Sequence, residues 1–176
     1  MRSSSYSSPL LHNLTEYLSI TKPAIASLNV FVGLATMLLA VSLNFESAIP
    51  LILLCATGFL AAGGAGALNC YVERSLDSGM RRTQHRPLPS HRISTHVAFS
   101  LGVGFSICGV ALAALFLNVL TAFMIGLGVF WYVFVYTVWL KPRTKWNIVI
   151  GGAAFSALAG WAAVTGSISF VAFLVA

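Results

Sequence analysis

Acidic residues are nearly missing from this chain. It has four Asp and Glu against ten Lys and Arg in 176 residues, and charged side chains of every kind make up only 8%. Soluble domains carry about 25% charged residues, so these few charges cannot solvate a globule's surface. With 58% hydrophobic residues, most of that surface must face lipid. The scarcity of charge excludes a cytosolic enzyme and a disordered tail. Cysteine is scarce too. Cys55, Cys70 and Cys108 lie in apolar stretches without CxxC spacing, which excludes a disulfide-stapled secreted domain and leaves them as small packing residues. The polar, Ser-rich first 23 residues lack the apolar core of about 7–15 residues that a signal peptide needs.

What the chain has instead is long apolar runs without charge, at about 24–43, 49–72, 97–117, 119–140 and 148–164. Each approaches the roughly 17–25 residues that cross a hydrocarbon core as a helix. Lipid offers the backbone no partners, so helices are expected throughout. Glycines recur in the runs (Gly63, Gly64 and Gly66; Gly102 and Gly104; Gly151 and Gly152), and small residues let helices approach closely. The expected fold is an all-α, polytopic transmembrane bundle of five complete spans plus the start of a sixth.

The bases are sorted by side. Arg2 and Lys22 precede the first run; Arg74, Arg81, Arg82, Arg86 and Arg92 lie between the second and third; Lys141, Arg143 and Lys145 lie between the fourth and fifth. The opposite connections, near Glu46, Asn118 and Ser167, hold none. The positive-inside rule then places the N-terminus and both basic loops in the cytoplasm, or in the matrix if the membrane is the mitochondrial inner one. Residues 1–23 form a polar N-terminus in which Leu10, Leu14, Tyr17 and Leu18 recur at helical spacing. This predicts a short interfacial helix ending at Thr21-Lys22-Pro23. The nine apolar residues 168–176 make only about 14 Å of helix, so residues 24–176 read as the front part of a longer membrane domain.

The chemistry-bearing segment runs from 69 to 89. Asn69, Glu73 and Asp77 are spaced i, i+4, i+8, and at about 100° per residue they share one helix face at its cytoplasmic end. One amide and two carboxylates suit a hard cation such as Mg2+, while the lack of His or Cys on that face argues against zinc. The arginines downstream offer planar forks for phosphate oxygens. Metal ligands followed by phosphate binders, at the edge of an apolar bundle, suggest a lipid diphosphate. The plainer alternative is a set of positive-inside anchors with two acids in interfacial salt bridges. Charges at a span's end are costly and tend to be functional.

At this segment the sequence resembles the UbiA-type intramembrane prenyltransferases, and within them the branch that farnesylates haem. That pattern, N-x-x-x-D-x-x-x-D followed by M-x-R-T-x-x-R-P, is matched at Asn69, Asp77, Met80, Arg82, Thr83, Arg86 and Pro87, with Glu73 standing where Asp is usual. Thr21-Lys22-Pro23 adds to the resemblance, as do the segments 136–141, 147–154 and 160–166. A proline pair usual in the fifth span is replaced by Ser156-Ala157.

The resemblance implies a nine-helix bundle whose second acidic motif follows the sixth span, beyond this chain. It implies Mg2+-dependent transfer of farnesyl from farnesyl diphosphate to the vinyl group of haem B, giving haem O, with a haem A synthase acting downstream. Asn69, Glu73 and Asp77 would be the metal and catalytic residues. Arg82, Arg86 and Lys141 would bind the diphosphate; Arg81, outside the pattern, is either a further phosphate contact or a headgroup anchor. The lipid bilayer is a partner and nucleic acid is not. Two alternatives stay open: transfer to an aromatic quinone precursor, and an inactive truncated remnant. His85, His91 and His96 are more simply solvated than haem ligands. Trp131, Tyr132, Tyr136 and Trp139 could line a cavity or serve as interfacial packing.

Overall fold

The computed structural model describes residues 9–40, 48–141, 143 and 154–167. They form α1 (Pro9–Ile20), α2 (Pro23–Ala40), α3 (Ala48–Ser78), α4 (Thr95–Phe116), α5 (Val119–Phe130), a π-helix continuing α5 over Trp131–Leu140, and α6 (Ala154–Thr165). No strand occurs among the described residues. Among the described residues four helices are long and apolar enough to cross a membrane, with the π-helix counted as part of the α5 span. Their outer faces carry exposed Phe31, Leu39, Ile52, Ile107 and Leu115, side chains that only lipid would accommodate on so many faces at once. The molecule is a polytopic membrane helix bundle, as its composition requires. Residues 41–43, 148–153 and 168–176, and with them the ends of two expected spans and the half-span, lie outside the described residues, as does Glu46.

Local signals set the helix ends. Pro23 opens α2, where its missing N–H costs nothing. Ser94 caps α4 by accepting from the Val97 N–H, and Asn118 caps α5 by accepting from the Thr121 N–H at 2.8 Å. Asn118 also donates to the Ala162 carbonyl at 2.8 Å, tying α5 to α6.

Small residues let the backbones close up. On α4 the buried positions are Ala98, Gly102, Ser106, Gly109 and Ala113, one stripe at spacings of three and four that packs along α3. A Cβ on Gly64 would sit 2.5 Å from the Ser106 nitrogen, and one on Gly109 2.7 Å from the Ala61 nitrogen. On the other side α6 meets α2. There a Cβ on Gly160 would lie 1.8 Å from the Gly33 carbonyl oxygen, and the Thr36 hydroxyl donates to the Ala157 carbonyl at 2.9 Å. Gly104 has nothing within 4 Å. Gly64→Val is therefore expected to cost about 3 kcal/mol or prevent folding by overpacking, while Gly104→Val leaves the melting temperature in detergent within a few degrees. Equal melting temperatures for the two variants would contradict the seam.

Candidate active site

α3 is longer than a membrane crossing requires. Its 31 residues carry it past the apolar stretch to Ser78, and its last turns hold Asn69, Glu73 and Asp77. All three are buried, at 1%, 4% and 5% relative exposure. Two buried carboxylates need compensating charge, and the chain supplies it from three separate places. Lys22, from the α1–α2 turn, donates to Asn69 Oδ1. Lys141, just after the π-helix, pairs with Glu73 Oε1. Arg86, in the loop after α3, pairs with Asp77 Oδ2 at 2.7 Å.

The loop curls back for a local reason. The Thr83 hydroxyl donates to the Asp77 carbonyl at 3.1 Å, and the Arg86 N–H to the Thr83 carbonyl at 3.0 Å. These bonds return Arg86 to the acid nine residues before it. Arg81 and Arg82 stay exposed on the same loop. Arg92 leaves it in the other direction, pairing with Glu16 on α1.

Lys22 is held in an unusual backbone state. Its φ is 51°, the left-handed region that glycine normally fills just after a helix end. The preceding turn explains the position: the Thr21 N–H bonds to the Leu18 carbonyl at 3.2 Å and closes α1. A long side chain in this conformation is strained. Here the strain aims the ammonium inward at Asn69, and burial pushes its pKa below the ordinary lysine value. Lys22 belongs to the Thr21-Lys22-Pro23 triplet of the resemblance, and nothing in the sequence ties it to the face of Asn69, Glu73 and Asp77.

The π-helix is the other unexpected element. Such winding is rare and favours functional positions. It carries Thr137, buried at 4% exposure, whose oxygen accepts from Asn69 Nδ2 at 2.8 Å. Thr137 lies in the segment 136–141 that adds to the resemblance, but spacing carries no signal for a partner 68 residues away.

Two cavities adjoin this cluster and share Lys22 as a wall. One, of about 390 Å³, opens among Ser19, Cys70, Asp77, Arg86 and Pro87. The other, of about 260 Å³, runs into the bundle between Gly33, Leu54, Ala61, Met124 and Phe155. The second is mostly apolar, and Trp131 and Tyr132 line it. Tyr136 stacks on Tyr132 with ring centroids 5.4 Å apart, and Trp139 is exposed. His85, His91 and His96 are exposed on or beside the loop.

The donor set fits a hard divalent cation. Among the described residues each carboxylate gives one oxygen to a base, Glu73 Oε1 and Asp77 Oδ2. The other oxygens, Glu73 Oε2 and Asp77 Oδ1, have no base paired with them among the described residues. Oxygen ligands of this kind, with room for phosphate oxygens, are what Mg2+ takes. No group of three His, Cys, Asp or Glu able to hold a metal is found among the described residues. The third protein ligand would be an amide. Charge agrees with this. Glu73 and Asp77 against Lys22, Arg86 and Lys141 leave one positive charge; a divalent ion would raise it to about three, a balance suited to a polyanion such as a diphosphate.

A family model described as the UbiA prenyltransferase family matches residues 29–176. A curated protoheme IX farnesyltransferase of Roseiflexus castenholzii is 42% identical over 162 residues, covering 89% of this chain and 29% of the relative. That of Rhizorhabdus wittichii is 46% identical over 159 residues, 87% of this chain and 51% of the relative. Protoheme IX farnesyltransferase 1 of Cenarchaeum symbiosum is 42% identical over 166 residues, 91% of this chain and 56% of the relative. The chain thus spans about half or less of the length of these relatives. No solved structure matches at a significant level.

Proposed function

The chain belongs to the UbiA prenyltransferase family, and on that premise we propose that it carries the diphosphate-binding half of a protoheme IX farnesyltransferase. The observation that carries this reading is the meeting of three buried oxygen donors with three bases, one of which, Lys22, also lines an apolar cavity.

Lys22, Lys141 and Arg86 would take the diphosphate oxygens, and Asn69, Glu73 and Asp77 would hold Mg2+. When bound, the ion supplies charge compensation for the departing diphosphate and a template for its oxygens. The bases stabilise the same developing charge from fixed positions, which is where electrostatic catalysis gains most. The farnesyl chain would extend past Lys22 into the cavity between α2, α3, α5 and α6. There, apolar walls keep water from the allylic carbon as its bond to oxygen breaks and the bonding pair leaves with diphosphate. The electron pair of a haem B vinyl group then forms the new carbon–carbon bond. Water adds to the resulting cation and loses a proton, giving the hydroxyethylfarnesyl group of haem O. The positive-inside distribution supports a site opening to the cytoplasm or matrix.

The test is membranes carrying the full-length protein, supplied with Mg2+, farnesyl diphosphate and either haem B or 4-hydroxybenzoate. Mass-detected haem O with haem B and no prenylated benzoate is expected. Prenylation of the benzoate alone would replace this reading with transfer to a quinone precursor.

A further inference from the structure

We propose that Thr137 is a positioning residue that locks the side-chain amide of Asn69 with its NH2 turned to Glu73 and its oxygen turned to Lys22, the orientation that leaves an oxygen rather than a nitrogen to offer a cation. The inference rests on the functional reading above and assigns the orientation of one ligand within it.

An amide side chain presents one acceptor oxygen and one NH2 group with two donors, and the two ends have nearly the same shape. Something must choose between them. Both donors of Asn69 are committed: Nδ2 donates to Glu73 Oε1 at 2.9 Å and to Thr137 Oγ1 at 2.8 Å. Oδ1 is left to accept from the Lys22 ammonium. A carboxylate oxygen such as Glu73 Oε1 only accepts, so it favours this orientation. Thr137 would be indifferent, since a hydroxyl both donates and accepts, unless its own proton were already used. It is used. Thr137 Oγ1 donates to the Tyr132 carbonyl at 2.7 Å, so only lone pairs face Asn69.

The π winding makes this possible. In an α-helix a threonine hydroxyl bonds back to a carbonyl three or four residues earlier; here it reaches five residues back. The helix that supplies Lys141 to Glu73 therefore also sets the polarity of the Thr137 hydroxyl. Reversing the Asn69 amide would set its oxygen against the Glu73 carboxylate and the Thr137 lone pairs, and its NH2 against the Lys22 ammonium. Asn69 and Thr137 are buried at 1% and 4% exposure, so water cannot readily substitute for the lost partners.

Two readouts on the full-length protein test this. In protein labelled with 15N-asparagine, the Asn69 NH2 signal is identified by its loss in Asn69→Asp. It should show two separate, slowly exchanging protons in the wild type and in Thr137→Ser, and fast exchange in Thr137→Val. Affinity for Mn2+ alone, read from the free-ion electron paramagnetic resonance signal, should fall about tenfold in Thr137→Val, the usual size for losing a residue that orients a metal ligand. Thr137→Ser should stay within twofold of the wild type. Thr137→Ala removes the same hydroxyl with less bulk and carries both readouts if the valine variant does not fold. An unchanged amide signal and unchanged Mn2+ affinity in the valine and alanine variants would overturn the role of Thr137 while leaving the site reading intact. Wild-type protein that binds no Mn2+ would overturn the site reading, and the amide protons would still decide whether Thr137 sets the orientation.

Discussion

Asp77→Asn in the full-length protein is expected to lower farnesyl transfer by roughly 10²–10³-fold, the scale of removing one preorganised electrostatic contact, with little change in fold. The replacement keeps shape and volume and removes one negative charge from a residue that is 5% exposed. Two effects then combine. The site loses half of the carboxylate charge that would hold a divalent ion, and Arg86 loses the partner that holds it at 2.7 Å. The loop should survive, because the Thr83 hydroxyl bonds to the backbone carbonyl of Asp77, which the substitution leaves in place. Transfer assays and a thermal melt on the same preparation separate the two consequences. Turnover within a factor of two of the wild type would remove Asp77 from the machinery. A collapse of the melting temperature would mean that the pair with Arg86 is mainly a structural tie.

Lys22→Gly should divide stability from activity in the opposite sense. Glycine relieves the left-handed backbone at φ 51°, and where native φ is positive it is the unstrained residue. The α1–α2 turn is thus expected to be as stable as before, or more stable by about 1 kcal/mol. The ammonium shared by the two cavities and bonded to Asn69 is lost. Farnesyl diphosphate binding should weaken at least tenfold, and transfer should fall by about 10²-fold. The pairing of these results is the informative part. A strained residue kept where a glycine would be more stable implies that its side chain is required. If Lys22→Gly transfers farnesyl normally, the strained lysine serves something other than the diphosphate site.

Much of the bundle was legible because membranes restrict the chain to few options. Charge-free runs mark the spans, and the four long apolar helices fall where those runs predict. The Asn69-Glu73-Asp77 face was equally legible, since it depends only on helical spacing within α3. What could not be read depends on contacts between distant parts of the chain. Nothing in the spacing tells that Lys22 meets Asn69, that Lys141 meets Glu73 or that Thr137 meets Asn69, pairs separated by 47, 68 and 68 residues. The pattern sets Arg81 apart but does not tell Arg82 from Arg86. The turn built on Thr83 returns Arg86 to Asp77 and leaves the other two exposed. The π winding of Trp131–Leu140 was also hidden, because an apolar aromatic run reads as ordinary α-helix until its carbonyls are seen pairing five residues on, as Tyr136 does with the Lys141 N–H at 2.9 Å.

The most direct measurement is phosphorus-31 electron–nuclear double resonance on the full-length protein loaded with Mn2+ and farnesyl diphosphate. The account predicts a coupling between the manganese electron spin and diphosphate phosphorus in the wild type, lost in Asp77→Asn. Mn2+ bound with no phosphorus coupling, or a coupling that persists unchanged in Asp77→Asn, would place the ion and the diphosphate somewhere other than the end of α3.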